Sequence, residues 1–297
     1  MLPLKRLILL LILMIPNSMN GQELKDVRKD ILAILDTVQG SFAVAFEDLT
    51  TGSQLLINER EMFHAASTMK TPVMVELFAQ VQAGRLALTD SLTIRNEFKS
   101  IVDSSVYQLD LKDDSDDSMY KRLGTRCTIS ELTIQMITVS SNLATNILMD
   151  LVGASNVTRR MRSMGATDIQ VLRGVEDGKA FERGLNNRTS ALDLLIVMRA
   201  IGRGAALNTA ASQAMMEILL AQKFNDIIPA QLPSSVKVAH KTGSITGVEH
   251  DSGIVILPDG RRYVLVVLSK NLHDAGSGKQ VLARVSRRIY DFMMEGR

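Results

Sequence analysis

Ser67-Thr68-Met69-Lys70 stands where strand-like sequence gives way to a helix, and the elements on either side of it decide the fold. Upstream, Leu24, Val27, Ile31, Ile34, Leu35 and Val38 recur at helical spacing until Gly40. Residues 42–46 and 54–57 then read as two strands joined by a turn at Thr51-Gly52. Downstream, the pattern predicts a helix from Thr68 to about Ala83, with Pro72 tolerated in its first turn and Gly84 as its stop. Further helical stretches cover residues 129–137, 142–151, 191–201 and 209–221. The end of the chain switches back to strands at 237–240, 253–257 and 263–269. A last amphipathic helix follows, carrying Val281, Leu282, Val285, Ile289 and Phe292. Helix–strand–strand at the front and three strands and a helix at the back predict one sheet closed by both termini. The helical middle is inserted between them, which is an α+β plan with a cleft between the two parts.

Composition narrows the function classes. The 297 residues are 46% hydrophobic and 22% charged, which excludes a disordered chain. Cys127 is the single cysteine, so an intrachain disulfide and a cysteine-based metal site are both excluded. His64, His240, His250 and His273 show no metal-ligand spacing. The net charge of +2 argues against nucleic acid as a partner. Lys5 and Arg6 account for all of that charge, and the unbroken apolar run from Leu7 to Ile15 follows them. Nine apolar residues fall well short of the roughly 20 that a spanning helix needs, so residues 1–21 read as an export signal cleaved near Gly21. The expectation is an exported protein, periplasmic or secreted. Five Asp among residues 110–117 read as a solvated loop, because the central Gly and terminal Glu of a calcium loop are missing.

The chemistry sits in three short motifs. Ser and Lys three apart on a helix share a face, and a Lys of lowered pKa can take the proton of a hydroxyl. Ser-x-x-Lys also occurs at Ser118 and Ser234, but only Ser67 opens an apolar helix. Ser140-Ser141-Asn142 lies between two helical stretches, where Ser140 can relay a proton and Asn142 can hold an amide, or the triplet can simply cap a helix. Lys241-Thr242-Gly243-Ser244 follows a strand-like stretch and offers a cation and hydroxyls to a carboxylate, with Gly243 allowing close approach.

In this order the motifs resemble the signature of class A β-lactamases and the related penicillin-binding proteins. The flanks agree, with Phe63-His64-Ala65-Ala66 before Ser67, Met136-Ile137-Thr138-Val139 before Ser140, and Leu143-Ala144-Thr145-Asn146 after Asn142. The resemblance spans residues 24 to the C-terminus. It implies a three-layer α-β-α fold with an antiparallel sheet, the sheet part formed by residues 22–67 and 223–297 and an all-helical part by 68–222. It implies Ser67 as acylated nucleophile, Lys70 as its base and Ser140 as proton relay. Asn142 would contact the acylamide side chain, and Lys241, Thr242, Gly243 and Ser244 would form the carboxylate site. An oxyanion hole would use the backbone N–H groups of Ser67 and Ser244. Glu176 follows Arg173 displaced by one position from the family's pattern and is the candidate deacylating base; Glu182 fits a Glu-x-x-Leu-Asn spacing but leaves too few residues before the next helix, and the alternative is that neither residue is the base. Ser141 stands where the family usually has Asp. The reaction so implied is β-lactam hydrolysis by a monomer, without metal or cofactor. The alternative is a D-alanyl-D-alanine peptidase acting on peptidoglycan peptides.

Overall fold

The computed structural model describes residues 21–295, so the stretch read as an export signal lies outside the described residues except for Gly21. Its centre is a five-stranded sheet of β1 (Ser41–Asp48), β2 (Gln54–Ile57), β3 (Lys237–Ile245), β4 (Val248–Ile256) and β5 (Arg262–Lys270). The order is β2-β1-β5-β4-β3, and every pairing is antiparallel. The front and back of the chain therefore interleave, with β1 pairing with β5 along its full length.

Alternation along β1 explains the layers. Phe42, Val44 and Phe46 point to one face, where α1 (Gly21–Leu35) and α9 (Ala275–Glu295) pack through Val27, Ile31, Val281, Val285 and Ile289. The small residues Ala43 and Ala45 point to the other face, among the helices of the middle of the chain. Both faces are covered, so β1 reads as a continuous apolar run rather than an alternating one.

The middle of the chain contains α2 (Lys70–Gln82), α3 (Ile129–Thr138), α4 (Asn142–Val152), α5 (Ala154–Ser163), the short α6 (Gly178–Glu182), α7 (Ala191–Gly202) and α8 (Thr209–Leu220). Their starts carry local signals: Thr128 caps α3, Ser141 caps α4, Ser190 caps α7 and Asn208 caps α8, each accepting a backbone N–H. Of these helices, α7 lies directly on the sheet against β1, β4 and β5. Apolar residues from α2 to α8 and from the sheet's inner face form one continuous core.

One element differs from expectation in a way that matters for the site. Strand sequence ends at about His240 by pattern alone, yet β3 continues to Ile245 and pairs with β4 throughout. Lys241-Thr242-Gly243-Ser244 is text that local pattern assigns to a turn, and cross-strand pairing overrides it.

Phe46 is fully buried, with Tyr263 at 5.6 Å and Phe292 at 6.1 Å between ring centroids. Phe46→Ala should lower unfolding stability by about 3–5 kcal/mol, read from the denaturant midpoint, because the cavity lies between sheet and helix and cannot close.

Candidate active site

Ser67 sits in a single 3-10 turn (Ala66–Met69) that runs into α2. The residue before it, Ala66, has φ +44, a left-handed conformation that costs a non-glycine residue free energy. The turn is held by its surroundings: Ala66 N–H donates to His64 Nδ1 at 3.0 Å and Thr68 Oγ1 donates to the Ala65 carbonyl at 2.6 Å. Phe63–His64 is in turn paired with Arg188–Thr189. Strand β3 presses on the turn from the other side. A Cβ on Gly243 would lie 3.1 Å from both the Ser67 and Thr68 nitrogens, so only glycine lets the strand edge come this close. Ser67 thus faces the cleft beside the edge strand of the sheet.

Behind Ser67 two lysines are buried completely, and both reach Ser140. Lys70 Nζ donates to the Ser140 carbonyl at 2.6 Å, to Ser140 Oγ at 3.1 Å and to Asn142 Oδ1 at 2.9 Å. Lys241 Nζ donates to the same Ser140 Oγ at 3.0 Å and to the Thr242 carbonyl at 2.9 Å. Ser140 itself has φ +59. Burial lowers the Lys70 pKa to about 7, against the opposing pull of Asp114 and Glu176. Lys241 is pushed well below its usual range by burial and then by Lys70, with Asp251 opposing. A hydroxyl between two such amines can accept from one and donate to the other, which is the geometry of a proton relay.

The third wall is built on the start of α4. Asn142 Nδ2 donates to Glu176 Oε1 at 2.5 Å while its Oδ1 accepts from Lys70, so Asn142 bridges cation and carboxylate. Glu176 is half-buried with φ +60, and burial raises its pKa, a shift that Asn142's hydrogen bond opposes. Its loop is fixed by Asn146, whose Oδ1 accepts from Val175 N at 2.7 Å and whose Nδ2 donates to the Val175 carbonyl at 3.0 Å. Gly174 is required there, since a Cβ would stand 2.4 Å from Asn146 Oδ1. Arg173 is buried and donates to the Leu185 and Gly174 carbonyls and to Asn186 Oδ1, while Asp177 takes Ser100 Oγ and Ile101 N. Glu182 is exposed on α6, away from the cleft lining.

The reading of residues 110–117 as a solvated loop fails at Asp114. Its two carboxylate oxygens accept the backbone N–H groups of Asn142 and Leu143, each at 2.9 Å, and Tyr120 Oη donates to it at 3.0 Å. Asp114 therefore caps α4 from a distant loop, beside the local cap Ser141. A negative charge at a helix N-terminus is favourable, and this one also biases Lys70 toward its charged form. No motif announces Asp114; the density of Asp in that loop is the only sequence signal. His240, on β3, lies fully buried with Nδ1 2.9 Å from Asp251 Oδ1.

The cleft in front of Ser67 has a volume of about 710 Å³, and its lining includes Asn142, Glu176 and Ser244. A serine at a strained turn, two buried lysines sharing a hydroxyl, a carboxylate across the opening and an adjoining strand edge define a serine acyl-transfer site on an α+β scaffold. Residues 26–293 match the model of the β-lactamase enzyme family, and the chain belongs to that family. A β-lactamase of Bacteroides uniformis is 23% identical over 96% of this chain and 97% of its own length. Among solved structures, a β-lactamase from Sphaerobacter thermophilus has a TM-score of 0.79 at 26% identity, covering 94% of this chain and 98% of that one. A mutant of PBP-A, described as an acyl-enzyme complex with penicillin G, has a TM-score of 0.78 at 26% identity, covering 91% of this chain and 97% of that one.

Removal of the Asp114 charge should act on Lys70 as well as on α4. In Asp114→Asn the acid limb of Ser67 labelling by a fluorescent penicillin should move to lower pH, because the carboxylate that favours protonated Lys70 is gone. Stability should fall by about 1–2 kcal/mol through the lost cap.

Proposed function

We infer that this protein is an exported serine β-lactamase that opens the β-lactam amide by acylating Ser67 and then hydrolyses the acyl-enzyme. The observation that carries this reading is the convergence of Lys70 and Lys241 on Ser140 Oγ behind Ser67. Neutral Lys70 takes the Ser67 proton as Oγ attacks the lactam carbonyl, and the carbonyl oxygen becomes the oxyanion of the tetrahedral intermediate. The backbone N–H groups of Ser67 and Ser244 are the donors assigned to that oxyanion, and such donors are commonly worth about 3 kcal/mol or more each. As the C–N bond breaks, Ser140 passes a proton to the leaving nitrogen and is reprotonated from the lysines. Glu176 then takes a proton from the water that attacks the ester and frees Ser67.

Asn142 is assigned to the acylamide side chain of the substrate, and Lys241, Thr242 and Ser244, with Gly243 clearing the approach, to the group beside the lactam nitrogen. We read residues 22–67 and 223–297 as the sheet part and 68–222 as the helical part of one monomeric catalytic domain, with residues 1–21 removed on export.

A second reading, a peptidoglycan D-alanyl-D-alanine peptidase, is favoured by one feature. Glu176 Oε1 is engaged by Asn142, as a residue holding the cleft wall would be, rather than being free for water. Nitrocefin separates the two. Turnover by the mature chain, lost in Ser67→Ala, supports the lactamase, whereas a stable acyl adduct on Ser67 of the unaltered protein with release of D-alanine from a pentapeptide mimic supports the peptidase. Glu176→Gln should slow deacylation at least a hundredfold and let the Ser67 adduct accumulate in a mass spectrum, while Glu182→Gln should leave turnover unchanged.

The pH dependence has a definite sign. Lys70 is the proton acceptor only when neutral, so the acylation rate should fall as pH drops through about 7. Glu176, its pKa raised by burial, loses its base form on the same side. Single-turnover acylation between pH 5 and 9 checks this, and a flat profile through 7 would remove Lys70 as base.

A further inference from the structure

One rung of the sheet touches the segment that carries Ser67 at two points. Gly243 and His250 are partners across the β3–β4 ladder. Gly243 lies against the turn itself, where a Cβ would stand 3.1 Å from the Ser67 and Thr68 nitrogens. His250 is fully buried and reaches the residues just before the turn. Its Nε2 donates to the His64 carbonyl at 2.9 Å, and its ring meets Phe63 edge-on at 5.9 Å between centroids. Phe63 and His64 are also paired with Thr189 and Arg188. The His64 backbone is thus a fixed platform between the sheet and the nucleophile turn, and His64 lines the main cleft beside Ala66 and Ser67.

The His64 ring carries that fixity forward. Its Nδ1 accepts the Ala66 N–H at 3.0 Å, and Ala66 has φ +44, a conformation that alanine disfavours. Ala65 is tied by other bonds, its N–H to the Asn187 carbonyl at 2.8 Å and its carbonyl to Thr68 Oγ1 at 2.6 Å. Among the described residues the Ala66 N–H is held by His64 Nδ1 alone. An imidazole nitrogen accepts only while it carries no proton. Burial, and then the cations Arg173 and Arg188, lower the His64 pKa and so favour the neutral ring.

We propose that His64 is a positioning residue for acylation, which holds the Ala66 amide through Nδ1 and so aims the Ser67 hydroxyl and backbone N–H into the cleft. The inference rests on Ser67 being the nucleophile. His64 acts through Ala66 rather than on the substrate, so its effect lies in the acylation rate constant and not in the binding that precedes it. Misplacing a reacting group by about 1 Å can cost on the order of a hundredfold in rate.

The test moves the acceptor by one bond. In His64→Asn the amide oxygen is as many bonds from Cα as Nδ1 is, whereas in His64→Gln it is one bond further out. His64→Ala removes the acceptor altogether. Each protein is mixed with benzylpenicillin and quenched in acid within milliseconds, and the ester on Ser67 is counted by mass spectrometry. The quench traps acylation whether or not the ester would later be hydrolysed. Its dependence on penicillin concentration separates the rate constant from the preceding dissociation constant. His64→Asn should keep the rate constant within about threefold, while His64→Gln and His64→Ala should lower it roughly thirtyfold, with the dissociation constant little changed. Hydrogen exchange at the Ala66 amide should stay slow in His64→Asn and quicken roughly tenfold in the other two. Equal rate constants in His64→Asn and His64→Gln overturn the inference, as does a loss that appears in the dissociation constant alone. Absence of any ester on Ser67 of the unaltered protein overturns Ser67 as nucleophile, and this inference falls with it.

Discussion

Two buried amines pointed at one hydroxyl form the arrangement on which the rest of the structure depends. An ammonium ion taken out of water loses several kcal/mol of hydration unless neighbouring groups replace it, and two such ions side by side repel as well. Lys70 and Lys241 meet that cost with carbonyls, an amide oxygen and the Ser140 hydroxyl, all neutral partners, and not with a direct carboxylate contact. Burial therefore lowers the Lys70 pKa to about 7, and it pushes Lys241, with Lys70 beside it, well below its usual range. Acceptance of a proton from a hydroxyl and its return to a leaving nitrogen require that condition.

Keeping the two amines together requires three separate parts of the chain to meet within hydrogen-bonding distance. The start of α2 brings Lys70, the left-handed Ser140 before α4 brings the relay, and the edge strand β3 brings Lys241. The sheet sets the position of β3 by pairing it with β4 along nine residues, and the absence of a Cβ at Gly243 lets it close on Ser67. Three of the six non-glycine residues with positive φ among the described residues, Ala66, Ser140 and Glu176, lie around this point. Backbone strain is concentrated where side chains have to be aimed, and the packed core on both faces of the sheet holds it.

Much of this was legible in the chain. Helices announce themselves by period and by caps such as Ser141, Ser190 and Asn208, so the limits of α3, α4, α7 and α8 fall within a residue of the pattern, whereas the largely polar α5 is not among the expected helices. The motifs at Ser67, Ser140 and Lys241 are short because each is one local element with one geometric task. The pattern ends β3 early because Lys241, Thr242, Gly243 and Ser244 carry no apolar side chain, and they are strand only because β4 lies beside them. Asp114 was assigned to solvent because an aspartate in an acid-rich loop gives no hint of which helix end it will meet. Glu176 could be picked out by its neighbours in sequence, but burial is not written there, and in the fold Glu176 is half-buried while Glu182 is exposed.

The sequence by itself determined the α+β plan and the order of the elements, and it singled out Ser67, Lys70 and Lys241 by their motifs. These follow from hydrophobic periodicity and from side-chain chemistry, which belong to residues and their near neighbours. Only the tertiary structure decided which carboxylates serve the site and what they do there. Asp114 supports α4 and biases Lys70, Asp251 pairs with the buried His240, Glu176 faces the cleft, and Glu249 accepts a hydrogen bond from the Ser244 hydroxyl. Electrostatic interaction depends on distance and burial through space, and neither quantity is written in the spacing along a chain.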